Sequence, residues 1–321
     1  MRKRNILTIL LFVVLVAGSF ANAPAQKKKS KPAPDGTPIL WQEPTDIGSR
    51  DLLNGPGGET MKPDLSRVTF IKDQAHGGFS TNYKVRDGAG NIWIAKLSKE
   101  AQPETAAVRL VWAVGYETEI NYLIPCLHIQ GAPQKNAPRC EGDGFANVKL
   151  EARPKNVKRL EGWSWTNNRF SGTKEFQGMI VLMSLINNWD LKDDNTRILY
   201  VPATDGGRGE LRYIISDLGA TFGKTGGFLS RNRNEPASFA KSKFVEGVEG
   251  NRVRFSYGGK NSGLFSNITV EDAKWIAGWL SRLSDKQISD AFRAANYKPD
   301  EVDMLTTAVK ARIGELVNVG G

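Results

Sequence analysis

Apolar positions open the chain as one short run, residues 6–17, broken only by Thr8. They thin out over residues 26–38, which are rich in Lys, Pro, Ala and Ser and have too little apolar surface to fold on their own. Residues 39–65 hold Trp41 and the turn-forming run Asn54-Gly55-Pro56-Gly57-Gly58, an irregular lead-in. From residue 67 the pattern becomes β-rich: Val68-Thr69-Phe70-Ile71, then residues 82–86, then Ile92-Trp93-Ile94-Ala95-Lys96-Leu97. The Gly-bearing segments Ala75-His76-Gly77-Gly78-Phe79-Ser80 and Asp87-Gly88-Ala89-Gly90 separate these runs, so an antiparallel meander is predicted, with the second turn the stronger hairpin signal.

Helical spacing follows at Ala106, Ala107, Leu110, Val111 and Val114, with Pro103 suited to a first turn and Gly115 to a stop. Residues 120–129 read as one or two further strands, and residues 131–170 as a long connection carrying Trp163, Trp165 and Phe170, which look exposed. Residues 173–187 are apolar on nearly every side and predict a buried helix. Tyr213-Ile214-Ile215 predicts a buried strand, and residues 224–264 a Gly- and Asn-rich stretch. Amphipathic helices around Trp275-Ile276, Ile288-Phe292 and residues 302–316 close the chain. Sheet first and helices second is the order of an α+β protein with two lobes.

Composition adds little to this, because 321 residues with 40% hydrophobic and 24% charged content are ordinary for a globular chain. The net charge of +10 suggests nucleic-acid binding until it is located: seven of those charges, Arg2, Lys3, Arg4, Lys27, Lys28, Lys29 and Lys31, lie in residues 1–32, where there is no acid. The remaining Lys and Arg are dispersed among acids, so no nucleic-acid partner is expected. The basic start, the apolar run and the small residues Ala21, Ala23 and Ala25 predict a signal peptide over residues 1–25 and an exported protein, periplasmic or secreted. The run is too short to span a bilayer, and no transmembrane helix is expected in the mature chain. In that oxidising setting Cys126 and Cys140 favour a disulfide, with two lone thiols as the alternative. His76 and His128 are the only histidines, which weakens zinc, Ser-His-Asp and Cys-His chemistry.

Chemistry concentrates in three places, in order. Ile94-Ala95-Lys96 ends the third strand-like run, with Glu104 in the next helix. Asp190-Leu191-Lys192-Asp193-Asp194-Asn195 follows the buried helix, and Ser216-Asp217-Leu218-Gly219 follows the buried strand. This set resembles the protein-kinase-like fold, whose signatures are Val-Ala-Ile-Lys, Asp-Leu-Lys-x-x-Asn and Asp-Phe-Gly. The resemblance implies a two-lobed α+β protein, an antiparallel sheet with one helix followed by a mainly helical lobe, divided as residues 39–150 and 151–321. It also implies ATP with Mg²⁺ or Mn²⁺ and an acceptor the sequence does not identify. In that scheme Lys96 holds phosphates, Glu104 orients Lys96, and Asp190 takes the acceptor proton. Lys192 contacts the transferred phosphoryl group, Asn195 and Asp217 hold the metal, and Gly77 and Gly78 cover the phosphates.

Departures shape the assignment. There is no full Gly-x-Gly-x-x-Gly and no Ala-Pro-Glu, Asn188-Trp189 stands where His-Arg is common, and Glu104 follows Lys96 closely enough that Glu117 and Glu119 are fallback partners. The pattern is therefore more similar to lipid-kinase-like and secretory-pathway kinases, and residues 185–195 with 216–223 resemble those of uncharacterised secreted bacterial proteins. A catalytically silent binding module for an envelope polymer or protein partner is the alternative, motivated by the incomplete Gly loop and the aromatics at 163, 165 and 170. A metal-assisted hydrolase using Asp190, Asp194 and Asp217 ranks third.

Overall fold

A computed structural model of the chain describes residues 34–74, 81–227 and 229–321. The expected signal peptide, the first part of the expected linker, Gly77 and Gly78 lie outside the described residues. The linker expected through residue 38 ends sooner. Gly36–Ile39 forms strand β1, which pairs in parallel with β9 (Gly209–Ile215), so its backbone is hydrogen-bonded although its composition reads as a tether.

Strands β2 (Thr69–Asp73), β3 (Asn82–Arg86) and β4 (Ile92–Lys96) form the predicted antiparallel meander. Helix α1 (Ala101–Ala113) follows, and β5 (Asn121–Leu127) and β6 (Phe145–Ala152) extend the sheet to the order β2-β3-β4-β6-β5. Strand β6 was not expected: it lies in the stretch read as a connection and runs across the expected boundary at residue 150. Its Lys149 and Glu151 are buried against each other rather than turned to solvent, which hides the apolar signature of an inner strand.

The second part begins with β7 (Lys158–Arg159) and helix α2 (Lys174–Leu185), followed by β8 (Thr196–Val201) and β9. With β1 these make a small sheet of order β1-β9-β8-β7. Helix α3 (Pro236–Lys241) and the hairpin β10 (Val245–Glu249) and β11 (Arg252–Phe255) occupy the Gly- and Asn-rich stretch. Helices α4 (Val270–Leu280), α5 (Asp285–Arg293) and α6 (Pro299–Val317) end the chain. Thr269 and Ser284 start α4 and α5 with capping boxes that satisfy the free amides of the first turn. This is the α+β order expected, an antiparallel sheet with one helix followed by a mainly helical part.

Among the described residues two hydrophobic cores result. One lies in the five-stranded sheet, around Tyr83, Val85, Trp93 and Leu150. The other is built on α2, wrapped by α4 and α6, and takes in the apolar face of α1. Helix α1 is thus fixed to the helical part as well as to the sheet: Gln102 donates to the carbonyls of Ala295 and Asn296 at 3.3 and 3.1 Å. Gly178 on α2 faces Trp275 so closely that a Cβ would come within 2.5 Å of the indole, which is why that helix crossing requires glycine. Among the described residues no helix is long and apolar enough to cross a membrane.

Cys126 and Cys140 are disulfide-bonded, tying β5 to the loop that leads into β6. The double variant Cys126→Ser/Cys140→Ser is expected to lose about 3 kcal/mol, the chain-entropy value for a loop of roughly this length. Denaturant midpoints of the two proteins check it, and equal midpoints would refute it.

Candidate functional site

Lys96 is the last residue of β4 and is 6% exposed. Its Nζ lies 2.8 Å from Glu104 Oε2, 3.0 Å from Glu100 Oε2 and 3.2 Å from Asp217 Oδ1. These partners come from the first turn of α1, the residue just before it, and the turn after β9. Burial alone would strip the proton from this ammonium, but Glu104 and Asp217 outweigh it and hold the Lys96 pKa above its ordinary range. Burial likewise works against the Asp217 carboxylate, yet Lys96 and the Gly219 amide, which donates to Oδ1 at 2.9 Å, hold its pKa below the usual value.

Glu104 is shared by two lysines. Its Oε1 accepts from Lys149 Nζ at 2.5 Å, and Lys149 also donates to Glu151 Oε2 at 2.8 Å. Lys149 sits directly opposite Lys96 in the β4–β6 ladder, where two like charges would repel without the carboxylate between them. Beyond Glu151 the chain of charges continues through Arg153 at 2.5 Å, and Arg159 pairs with Glu119 at 2.6 Å.

The loop after α2 is held as firmly. Asn195 Nδ2 donates to the Asp190 carbonyl at 2.8 Å and to Asp190 Oδ2 at 3.1 Å, and Lys192 Nζ lies 2.9 Å from the same Oδ2. The Asn195 carbonyl accepts from the amides of Ser216 and Asp217 at 2.8 and 3.3 Å, so the loop and the Asp217 turn are joined through one peptide group. From the β11 side, Tyr257 Oη donates to the Asn188 carbonyl and Asn261 Nδ2 to that of Leu191, both at 2.8 Å. Trp189, next to Asp190, donates through Nε1 to the Asn232 carbonyl at 2.8 Å. The guanidinium groups of Arg231 and Arg233 lie 4.3 and 4.7 Å from its ring.

Behind the loop, Asn187 takes up a left-handed conformation (φ 54°) that turns the chain out of α2. Arg312 of α6, 3% exposed, fills the space there and donates to the Leu185 carbonyl at 2.7 Å and to Asn187 Oδ1 at 3.0 Å. A cation at the C-terminal end of a helix is favoured by the helix dipole, and burial lowers this one to a pKa of about 10.

Lys96, Glu104 and Asp217 therefore meet in one ion cluster, and Asp190, Lys192 and Asn195 in one loop tied to it. The fallback glutamates are engaged elsewhere, Glu117 with Arg212 at 3.0 Å and Glu119 with Arg159. The aromatic surface expected for a binding module does not form: Trp163 and Trp165 pack on each other at 4.9 Å and against Phe176, are 6% and 0% exposed, and Trp163 Nε1 finds the Ile214 carbonyl inside the core. Phe170 is half-buried against Tyr213. Asp194 is exposed, and Asp193 accepts from the Trp165 amide at 3.0 Å, a bracing role. Glu100, Lys149, Arg233 and Arg312 are the participants that motif reading misses. Of these only Arg233 lies in a distinctive stretch, the acid-free residues 224–234, and that composition does not say what it meets.

Among the described residues no three His, Cys, Asp or Glu side chains form a metal cage. Asp217 and Asn195 instead offer a carboxylate and an amide oxygen. The hydrogen bonds from Asn195 Nδ2 to Asp190 orient that amide, and such a pair, completed by phosphate oxygens and water, suits Mg²⁺ or Mn²⁺.

No protein-family model matches the chain, and no curated protein matches it. Among solved structures it is similar to the Helicobacter pylori proinflammatory kinase CtkA, at 10% identity over 80% of this chain and 96% of that one, with a TM-score of 0.47. A likeness of that size says nothing of this chain's chemistry.

Proposed function

We propose that the protein is an exported, periplasmic or secreted phosphotransferase that moves a phosphoryl group from ATP, or another nucleotide, to a hydroxyl acceptor with Mg²⁺. The observation that carries this reading is the convergence of Lys96, Glu104 and Asp217 from three separate elements, with the Asp190 to Asn195 loop joined to Asp217 through the Asn195 carbonyl. Phosphoryl transfer depends on positioning and charge neutralisation, and these residues supply both.

In this reading Lys96 binds the α- and β-phosphates, and Glu104, held from the other side by Lys149, fixes its ammonium in place. Asn195 and Asp217 hold the metal ion, which neutralises charge on the phosphates. Asp190 accepts the acceptor's hydroxyl proton as that oxygen bonds to phosphorus and the bond to the nucleoside diphosphate oxygen breaks. Lys192, beside Asp190, faces the transferred group. The departing diphosphate keeps the bonding electrons, so the step balances without any further reactant.

The test is calorimetric titration of the mature protein with ATP, and with GTP as a second donor, in the presence and absence of Mg²⁺, alongside Asp217→Ala. Metal-dependent binding that the variant loses is expected. Binding by neither protein, or equal binding by both, overturns the assignment.

A further inference from the structure

Two cations converge on one carboxylate beside the proposed nucleotide site. Glu100 places Oε2 3.0 Å from Lys96 Nζ and ion-pairs through Oε1 with Arg233. Its side chain is only 16% exposed and lies against Gly219 of the Asp217 turn, where a Cβ on the glycine would come within 2.6 Å of Glu100 Cβ. Arg233 is held from its other side by Trp189, the neighbour of Asp190.

Charge counting makes this placement informative. Lys96 already has Glu104 and Asp217 for partners, so a third carboxylate is not needed to neutralise it. What Glu100 adds is an anion lodged between Lys96 and a guanidinium, directly over the turn that carries Asp217. A guanidinium and an ammonium held a carboxylate's width apart are also suited to a phosphate group, which guanidinium binds in a fork of paired hydrogen bonds.

We infer that Glu100 is a built-in stand-in for a phosphate group, and that Arg233 is the second cation of the phosphate subsite, releasing Glu100 when a polyphosphate enters. This rests on the nucleotide-binding reading above. It adds a phosphate-binding residue from outside the motif set, and an internal competitor that sets the affinity for nucleotide. Glu100→Gln keeps the shape and removes the competing charge, so phosphate binding tightens. Arg233→Met keeps most of the contact with Trp189 and removes the charge, so phosphate binding weakens. A gain of affinity in the first variant cannot come from misfolding.

The experiment is calorimetric titration of the wild type, Glu100→Gln, Arg233→Met and Asp217→Ala with ATP and, separately, with inorganic tripolyphosphate, both with Mg²⁺. An increase of about tenfold for Glu100→Gln and a decrease of about tenfold for Arg233→Met are expected with both probes, each equivalent to one strong charge interaction. Unchanged or weaker binding by Glu100→Gln, or unchanged binding by Arg233→Met, overturns the inference. If Asp217→Ala loses binding while Glu100→Gln is silent, this inference alone fails. If Asp217→Ala binds as the wild type does, or if neither the wild type nor Glu100→Gln binds, the nucleotide reading fails and this one with it.

Discussion

Replacing Asp190 with Asn is expected to slow phosphoryl transfer by about 10²–10⁴-fold, the range for a positioned general base, while leaving nucleotide affinity unchanged. The two parts of this expectation come from different contacts. The Asp190 carboxylate touches Lys192 and Asn195 but not Lys96, so the cluster assigned to the phosphates does not need its charge. An asparagine can still accept through its side-chain oxygen, so the loop should keep its shape. The Asp190 carbonyl, which accepts from Asn195 Nδ2 at 2.8 Å, is retained whatever the side chain. What the variant lacks is a group able to take a proton from an attacking hydroxyl. The measurement is metal-dependent ADP release, with water and with a panel of hydroxyl compounds as acceptors. Turnover equal to that of the wild type would remove Asp190 from the mechanism. Asn195→Ala should differ in kind, lowering both nucleotide affinity and turnover, because that side chain braces Asp190 and is assigned to the metal as well.

The sequence was most informative where an element carries its own local signal. Lys96 at the end of a β-rich run and Glu104 in a helix with Pro103 in its first turn are close in the chain, so their pairing needs only a strand and the first turn of a helix. Asp190 and Asn195 share one turn, and Asp217 follows a strand of plainly apolar residues. Where the sequence fell short, the first cause is polar side chains buried in pairs. Strand β6 has no apolar alternation because Lys149 and Glu151 lie inside, neutralising each other and Glu104. A tryptophan in a loop segment looks exposed until its burial is seen: the Ile214 carbonyl meets the Trp163 indole nitrogen, and Trp165 is enclosed by Trp163 and Phe176. Arg233 and Arg312 lie far in sequence from what they touch, and nothing local marks a guanidinium that will meet Glu100 or the end of α2.

Lys149→Met is expected to destabilise the fold by about 3–5 kcal/mol at neutral pH, the cost of removing one partner from a buried ion pair. The lysine is enclosed: its side chain is 2% exposed, and both carboxylates it meets are also buried. Without it, Glu104 keeps Lys96 and Glu151 keeps Arg153, but Glu104 loses its nearer cation and Glu151 the more deeply buried of its two. The acid limb of the stability curve should distinguish this from simple loss of packing. Burial would push the Glu151 carboxyl up, but Arg153, Lys149 and Arg159 together hold its pKa well below the ordinary 4.5. A carboxylate with a lowered folded pKa contributes stability above its unfolded value, and that contribution is lost as pH falls through the folded value. The wild type should therefore lose stability steeply below about pH 5, and Lys149→Met less steeply, so the gap between them narrows in acid. The Lys149 pKa is itself raised, because Glu104 and Glu151 outweigh burial, so its own titration lies in the alkaline range and leaves the acid comparison clean. Pairing the change with Glu151→Gln removes a buried carboxylate charge along with the cation, and the double variant should lose less than the sum of the two single variants. Denaturant unfolding of the four proteins at neutral and acid pH measures all of this. A gap that stays constant with pH, or a double variant whose loss is the sum of the singles, would show that Lys149 serves as a spacer and that Glu104 is held by α1 and Lys96 alone.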